Sequence, residues 1–411
     1  MKPGQQGASI DCPDRIEPFE GNETLERCEP VQRCERIAVF RALQLGDMLC
    51  AVPALRALRA KWPAAHITLI GLPWAQAFVA RYPGLIDELM VFPGAVGFPE
   101  QAESDAGLAL FYRKARARRF DLAIQLHGSG GVANDILFKL GARRHAGFSN
   151  GLDEVDDKCA RLQASGNAFM PWPEHLPESE RYTALMSFMG MPVEEAALWL
   201  PLEDDDHIEC DEIAGAYRID CERAVIVHAG AQLPSRRWPA ERFAAVADAL
   251  AEEGWQILLT GTAAEAPLIR TVVQAMQHRP VDLAGVTTLG GLAALVKSAR
   301  LLVCNDTGIS HIAAAMRTPS VVVACGSDTR RWAPLDRSRH RVLADYPACR
   351  PCNWRDCPHG HVCADNISVA RVIAAARAQL RDWTREDTLR EWAEQAPNPA
   401  LQPTVVLAGQ A

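Results

Sequence analysis

The sequence predicts an α/β protein of two facing domains, each built on a parallel sheet. Three observations predict it. The chain has 411 residues, enough for two hydrophobic cores of ordinary size. Short aliphatic runs alternate with turns rich in Gly, Asp or Pro and then with longer amphipathic stretches, the mark of βαβ units. That alternation restarts halfway along the chain.

In the first half the strands are expected at Ile37 to Arg41, His66 to Gly71, Glu88 to Phe92 and Asp121 to His127. Helices should follow at Asp47 to Lys61, Trp74 to Arg81, Asp105 to Ala117 and Val132 to Leu140. A Pro-rich, acidic region from Pro171 to Asp206 holds one helix, Glu178 to Gly190, and a run at Glu203 to Asp206 too polar for a core. The domain boundary is expected there. The second half begins with Ala224 to His228 and continues with Trp255 to Gly261, Val281 to Ala284, Leu301 to Asn305 and Ser320 to Cys325. Its helices are Ala240 to Glu253, Ala264 to Gln277, Leu289 to Ser298 and Ile309 to Ala315. The expected organisation is a mobile extension over 1–35, an N-terminal domain over 36–205, a C-terminal domain over 206–365, a helix within 366–383 crossing back to the first domain, and a tail over 384–411.

Hydrophobic residues at 48% and charged residues at 23% describe a globular protein rather than a disordered one. A net charge of -8 argues against nonspecific nucleic-acid binding, which needs a basic face. No apolar run approaches the roughly 18 to 20 residues of a bilayer span, and Met1 to Cys34 contains no signal-like apolar segment. A cytoplasmic protein is expected, with its 13 cysteines reduced.

Chemistry concentrates at the ends of strands. Leu45-Gly46-Asp47-Met48 follows the opening strand and starts a helix, at the ligand crevice of an open sheet. Asp47 there serves as a helix cap or as a general base taking a proton from an attacking hydroxyl, two compatible roles. Val303 to His311 reads as a buried strand running into a helix whose first turn offers Thr307, Gly308 and Ser310, the elements of a pyrophosphate site. Asp306 is assigned to the turn or to substrate hydroxyls. The loop His228-Ala229-Gly230-Ala231-Gln232 and the basic Ser235-Arg236-Arg237-Trp238-Pro239 point at the same cleft, where Arg236 would bind a diphosphate and offset leaving-group charge. Glu265, past Gly261, would accept from ribose hydroxyls or act as a first-turn helix carboxylate.

The ordered set of Gly46-Asp47 with Pro53-Ala54-Leu55, the Gly230 loop with Arg236 to Pro239, Gly261 with Glu265, and Asp306 to His311 resembles family 9 glycosyltransferases, the ADP-heptose:lipopolysaccharide heptosyltransferases. The resemblance spans about Arg36 to Leu380. It implies a GT-B fold of two Rossmann-like domains with an interdomain cleft, acceptor on the first and sugar nucleotide on the second. It implies inverting transfer without a metal or other cofactor, from ADP-heptose or a related nucleotide sugar to a lipid-linked saccharide. Asp47 would be the base; Thr307, Gly308 and His311 would hold the diphosphate, Glu265 the ribose and Asp306 the heptose, with Gly230, Ala231, Gln232, Thr287 and Ser310 completing the donor set. Arg236 stands where the family usually has Lys, keeping the charge but not its geometry.

Other motifs compete. Gly128-Ser129-Gly130-Gly131-Val132-Ala133 matches a dinucleotide fingerprint and leaves an NAD-dependent oxidoreductase as the alternative, beside a non-catalytic nucleotide-sugar binder. It falls at the fourth strand, however, and suits an acceptor loop with Gly46, His127 and Gly128. Arg113, Arg116, Arg143 and Arg144 are taken as cations for an anionic acceptor and for transient contact with the inner membrane leaflet. Cys349, Cys352, Cys357 and Cys363 have spacings compatible with a structural metal, although paired C-x2-C knuckles are the commoner arrangement.

Overall fold

A computed structural model describes residues 33–384 apart from 99, 102–104, 152–166 and 194, and also 386, 387 and 390. Most of the expected extension and tail therefore lies outside the described residues. The first domain carries β1 (Arg36–Phe40), β2 (His66–Gly71), β3 (Glu88–Val91), β4 (Leu122–Gln125), β5 (Arg144–Ser149) and β6 (Ala168–Pro171). They pair in parallel in the order β3-β2-β1-β4-β5-β6. The second carries β7 (Ala224–His228), β8 (Gln256–Leu259), β9 (Val281–Asp282), β10 (Leu301–Asn305), β11 (Ser320–Ala324) and β12 (His340–Ala344), in the order β12-β11-β10-β7-β8-β9. Both orders are the doubly wound 3-2-1-4-5-6, so the direction in which strands are added reverses between β1 and β4 and again between β7 and β10, while all strands stay parallel. The fold is GT-B, and the ligand crevices lie outside the carboxyl ends of those four strands.

Strands at the switch points are apolar on both faces because helices cover both. Leu301–Asn305 is buried throughout, as is Ala224–His228. Helix α1 (Leu45–Lys61) follows β1, and α2 (Ala75–Ala80), α3 (Asp105–Ala117), α4 (Val132–Lys139) and α5 (Glu178–Phe188) complete the first domain. Next come α6 (Asp204–Tyr217), α7 (Ala240–Glu252), α8 (Ala266–Ala275), α9 (Leu289–Ser298), α10 (Gly308–Met316), α11 (Thr329–Trp332), α12 (Val362–Asp365) and α13 (Val369–Asp382). One core crosses the domain boundary: Met48, Leu49 and Val52 of α1 share a cluster with Ile309 and Ile312 of α10. Apolar contact thus holds the two crevices face to face.

Three expectations change. The last helix does not cross back, because Val372, Ala376 and Leu380 belong to the second domain's core and α13 packs on α7 and β11. The acidic run before 206 is the start of a helix: Glu203 and Asp206 form a capping box, and Asp204 to Asp206 occupy the positive end of α6. That helix packs on α9, so the boundary falls a few residues before 205. Order also reaches further back than expected, since the Glu35 and Arg36 amides both donate to Asp121 Oδ2 at 3.0 Å.

Candidate active site

Asp47 sits in the first turn of α1, two residues inside the helix, so it is not the cap; Gln44 precedes the helix and makes no side-chain cap. Its turn is held by Arg41, which directly follows β1 and is 1% exposed. Arg41 Nε donates to the Asp47 carbonyl at 2.8 Å, Nη1 donates to Tyr182 Oη at 2.6 Å and to the Leu126 carbonyl, and Nη2 lies 3.8 Å from Asp47 Oδ1. About a fifth of the Asp47 side chain (21%) meets solvent, in a recess narrow enough that desolvation dominates its ionisation. Burial raises its pKa, with Glu178 adding to the rise, against the attraction of Arg41, His311 and Arg331. A carboxylate so placed is a stronger base than one in water.

Opposite it stands the start of α10. Thr307 precedes the helix in extended conformation without a side-chain cap, while Ser310 Oγ donates to the Thr307 carbonyl at 2.7 Å. The Ser310 amide donates to the Thr307 carbonyl at 2.9 Å, and the Gly308 and Ile309 amides ahead of it keep the anion-binding capacity of a helix start. Gly46 and Gly308 let the two helix starts meet: a Cβ on Gly46 would come 2.6 Å from His311 Cδ2 and 3.4 Å from Gly308 Cα. His311 is buried between them, with Nδ1 3.8 Å from Cys50 Sγ. Burial lowers its pKa against the pull of Asp306 and Asp47. Gly46, Gly308 and His311 thus meet between the domains, with Asp47 and Thr307 as their neighbours in the chain.

The loops expected to bind the donor follow the predicted positions, with changes. Asn305, which the sequence reading did not single out, accepts from the Trp238 amide at 2.9 Å and donates to the Ala229 carbonyl at 2.7 Å, tying the β10 end to the β7 loop. Asp306 accepts from Ser327 Oγ. Glu265 fulfils the helix reading, since its Oε2 takes the Thr262 amide and hydroxyl at 2.9 Å. Its carboxylate also lies against Gly230, where a Cβ would overlap it. Gln232 is exposed, Ala231 is buried and receives Arg237 Nε on its carbonyl at 2.9 Å, and half-buried Thr287 follows the edge strand β9 at the same carboxyl edge as Glu265. Arg236 Nη1 and Nη2 donate to the Cys325 and Cys352 carbonyls, so it acts as a fixed charge bracing a loop rather than as a two-pronged clamp.

That loop is the cysteine-rich segment. Ser235 Oγ donates to the Trp354 carbonyl, the Ser235 amide to the Arg355 carbonyl at 3.0 Å, and His361 Nε2 lies 2.9 Å from the Ser235 carbonyl. Cys349, Cys352, Cys357 and Cys363 thus belong to a segment that grips the Arg236 turn. Among the described residues, no group of three or more His, Cys, Asp or Glu side chains is placed to hold a metal ion.

The acceptor-side expectations divide. His127 and Gly128 follow β4 at the crevice; His127 stacks on Phe40 at 5.1 Å, accepts from the Ala42 amide at 3.2 Å, and is held neutral by burial, with its pKa lowered to about 3. Among the described residues, a Cβ on Gly128 would meet nothing within 4 Å. Arg113, Arg116, Arg143 and Arg144 lie elsewhere. Arg143 and Arg144 lead into β5 and Arg116 ends α3, where Arg116 Nε donates to the Lys139 carbonyl at 3.2 Å. A parallel sheet puts the starts of its strands opposite the crevice, so these cations face away from Asp47. Arg143 is also near Asp121, at 3.7 Å.

The glycosyltransferase family 9 (heptosyltransferase) profile matches residues 109–363. The chain belongs to glycosyltransferase family 9. A relative, lipopolysaccharide heptosyltransferase 3 of Escherichia coli, is 31% identical over 365 residues, covering 84% of this chain and 99% of its own. Among solved structures, the family 9 glycosyltransferase of Veillonella parvula aligns with a TM-score of 0.69 at 24% identity, covering 85% of this chain and 98% of its own. The E. coli ADP-heptose lps heptosyltransferase II aligns at 0.63 and 21%, covering 85% and 99%. Family membership replaces the oxidoreductase alternative, and the Gly128 to Ala133 loop is part of the first crevice of a glycosyltransferase.

Within this family 9 enzyme, three charged residues near Asp47 were missed by sequence reading. Arg41, Glu178 and Arg331 come from β1, α5 and α11 and meet only in the fold; a lone Arg closing an apolar strand was the one local signal. A testable consequence concerns the donor wall. Gly230→Ala should drive the Glu265 carboxylate out of its place, raising KM for the nucleotide sugar about tenfold, a loss of about 1.4 kcal/mol in binding, with kcat within about threefold. Steady-state kinetics would check it, and an unchanged KM would remove Glu265 from the donor contact.

Proposed function

We propose that this glycosyltransferase moves a heptose from ADP-heptose to a saccharide of the lipopolysaccharide core, with inversion and without a metal. The named relatives support the sugar and acceptor class. One observation carries the chemistry: the first turn of α1, which bears Asp47, abuts the uncapped start of α10 through Gly46 and Gly308. An acceptor hydroxyl approaching from the His127 and Gly128 side loses its proton to Asp47 as its oxygen bonds the anomeric carbon. The bond from that carbon to the diphosphate oxygen breaks on the opposite face, and the charge on departing ADP is met by the Thr307–Gly308 amides and the fixed charge of Arg236. Attack and departure on opposite faces invert the anomeric centre. With a lipid-linked acceptor, the enzyme works in the cytoplasm in transient contact with the inner leaflet. No helix among the described residues is long and apolar enough to cross a membrane.

The test is transfer from ADP-heptose to a core acceptor in excess chelator, with the anomeric configuration of the product read by NMR. Inverted product at an undiminished rate is expected. Retained configuration, or a rate abolished by the chelator and restored by a divalent ion, would overturn the mechanism.

A further inference from the structure

Behind Asp47 lies a buried charge cluster whose members come from both domains. Glu178 begins α5 and is 1% exposed. Arg331, on α11 of the other domain, binds it with two prongs, Nε to Oε2 at 2.6 Å and Nη2 to Oε1 at 3.1 Å. Tyr182 Oη donates to Glu178 Oε1, and Arg181 Nη1 reaches Oε2 at 3.2 Å. Arg41 Nη2 stands 3.6 Å from Glu178 Oε1 and 3.8 Å from Asp47 Oδ1, buried and without a hydrogen-bond partner among the described residues. One guanidinium therefore sits between the candidate base and the residue that receives Arg331.

A buried ion pair is weak as a source of stability, since desolvating both charges offsets most of their attraction. Its better-attested use is to fix one arrangement among several. Residues 153 apart in sequence make this pair, and only the facing of the two domains brings them together. Arg331 also has room to leave: with Glu178, Trp332 and His311 it lines an interdomain cavity of about 280 Å³.

We infer that Glu178 and Arg331 are positioning residues, forming a clasp that joins the two domains and, through Arg41, holds the first turn of α1 with Asp47 aimed at the donor. The inference rests on Asp47 being the base. When Arg331 engages Glu178, it satisfies that carboxylate and leaves Arg41 fixed by Leu126, Tyr182 and the Asp47 carbonyl. When Arg331 leaves, Glu178 draws Arg41 toward itself and the Asp47 turn loosens. The groups facing Asp47 are Arg41 from β1, Cys50 on its own helix, Glu178 and Tyr182 from α5, His311 from α10 and Arg331 from α11. Glu178 is ionised throughout the working range: burial opposes its charge, but Arg331, Arg41 and the Tyr182 hydroxyl hold its pKa down to about 2.

The experiment compares Glu178→Gln, Arg331→Gln and Arg331→Lys in the full chain. Both Gln variants should lose at least tenfold in kcat with donor KM within threefold, and Arg331→Lys should recover part of the loss. The acid limb of the kcat profile should move in opposite directions: downward for Glu178→Gln, which removes a negative neighbour of Asp47, and upward for Arg331→Gln, which removes a positive one. Packing damage alone would not produce opposite shifts. Limbs that stay put, or move together, would overturn the clasp; if Glu178→Gln fails to fold, the two Arg331 variants decide alone. Small-angle X-ray scattering with ADP bound gives a readout independent of the base, with a larger radius of gyration expected for both Gln variants. Unchanged scattering would refute the clasp, whereas expanded scattering with full activity in Asp47→Asn would instead refute the reading of Asp47.

Discussion

Replacing Asp47 by Asn is expected to lower kcat by about 1,000-fold, a rise of about 4 kcal/mol in the barrier, while ADP still binds. The amide keeps the size and the contact with Arg41's surroundings but cannot take a proton. The Arg41 Nε bond goes to the Asp47 carbonyl, not to its carboxylate, so the first turn of α1 survives the change. In the proposed reaction the donor is held by α10 and the β7 loop, which lie on the other domain, so its affinity should survive. Calorimetry of ADP binding beside single-turnover rates would check both halves, and a kcat within tenfold of the native value would remove Asp47 as the base. The native enzyme should also show its acid limb above the ordinary carboxylate range. Burial raises the Asp47 pKa, the base works only when ionised, and activity is therefore lost as pH falls through that raised value.

How far the sequence spoke for this site depended on whether a residue acts through its neighbours in the chain. His66–Gly71, Ala224–His228 and Leu301–Asn305 were legible to the residue, because a strand covered on both faces is a plain aliphatic run bounded by turns. Asp47 and the Thr307 turn were legible for the same reason: each follows such a run. Strand Arg144–Ser149 was not expected, since its first residues are charged and its Gly147 breaks the alternation. That Gly is needed, as a Cβ there would come 3.0 Å from Gln125 Cβ. Helix Asp204–Tyr217 was hidden by three acids that look like loop and in fact complement the helix dipole. Strand His340–Ala344, which begins with His and Arg, and strand Ala168–Pro171 were also passed over. Arg143 and Arg144 misled because charge was counted without knowing which end of the sheet it would occupy. Glu178 and Arg331 had no local pattern to reveal them, because their meaning is a contact between domains.

The same dependence on close approach gives the second large effect. Gly46→Ala adds one methyl group, and in an isolated domain it would do little, since Ala favours a helix more than Gly does. Here the new Cβ would lie 2.6 Å from His311 Cδ2 and 3.4 Å from Gly308 Cα, one an edge of a buried ring and the other backbone. The ring has little freedom to retreat: Cys50 lies 3.8 Å from its Nδ1, and Trp332 packs edge-on at a centroid distance of 6.4 Å. The strain is relieved most cheaply by moving the domains apart by a few tenths of an ångström, which lengthens the path between Asp47 and the diphosphate. Misplacement of reacting groups by up to an ångström costs as much as a hundredfold in rate. Gly46→Ala should therefore lose about 10- to 100-fold in kcat while melting within about 3 °C of the native protein, because a shift of a few tenths of an ångström leaves the apolar core shared by α1 and α10 closed. Kinetics and a thermal melt would check the pair of outcomes. A native rate would mean that the two helix starts need not touch during the reaction, and a collapse in melting temperature would mean that the glycine serves folding instead.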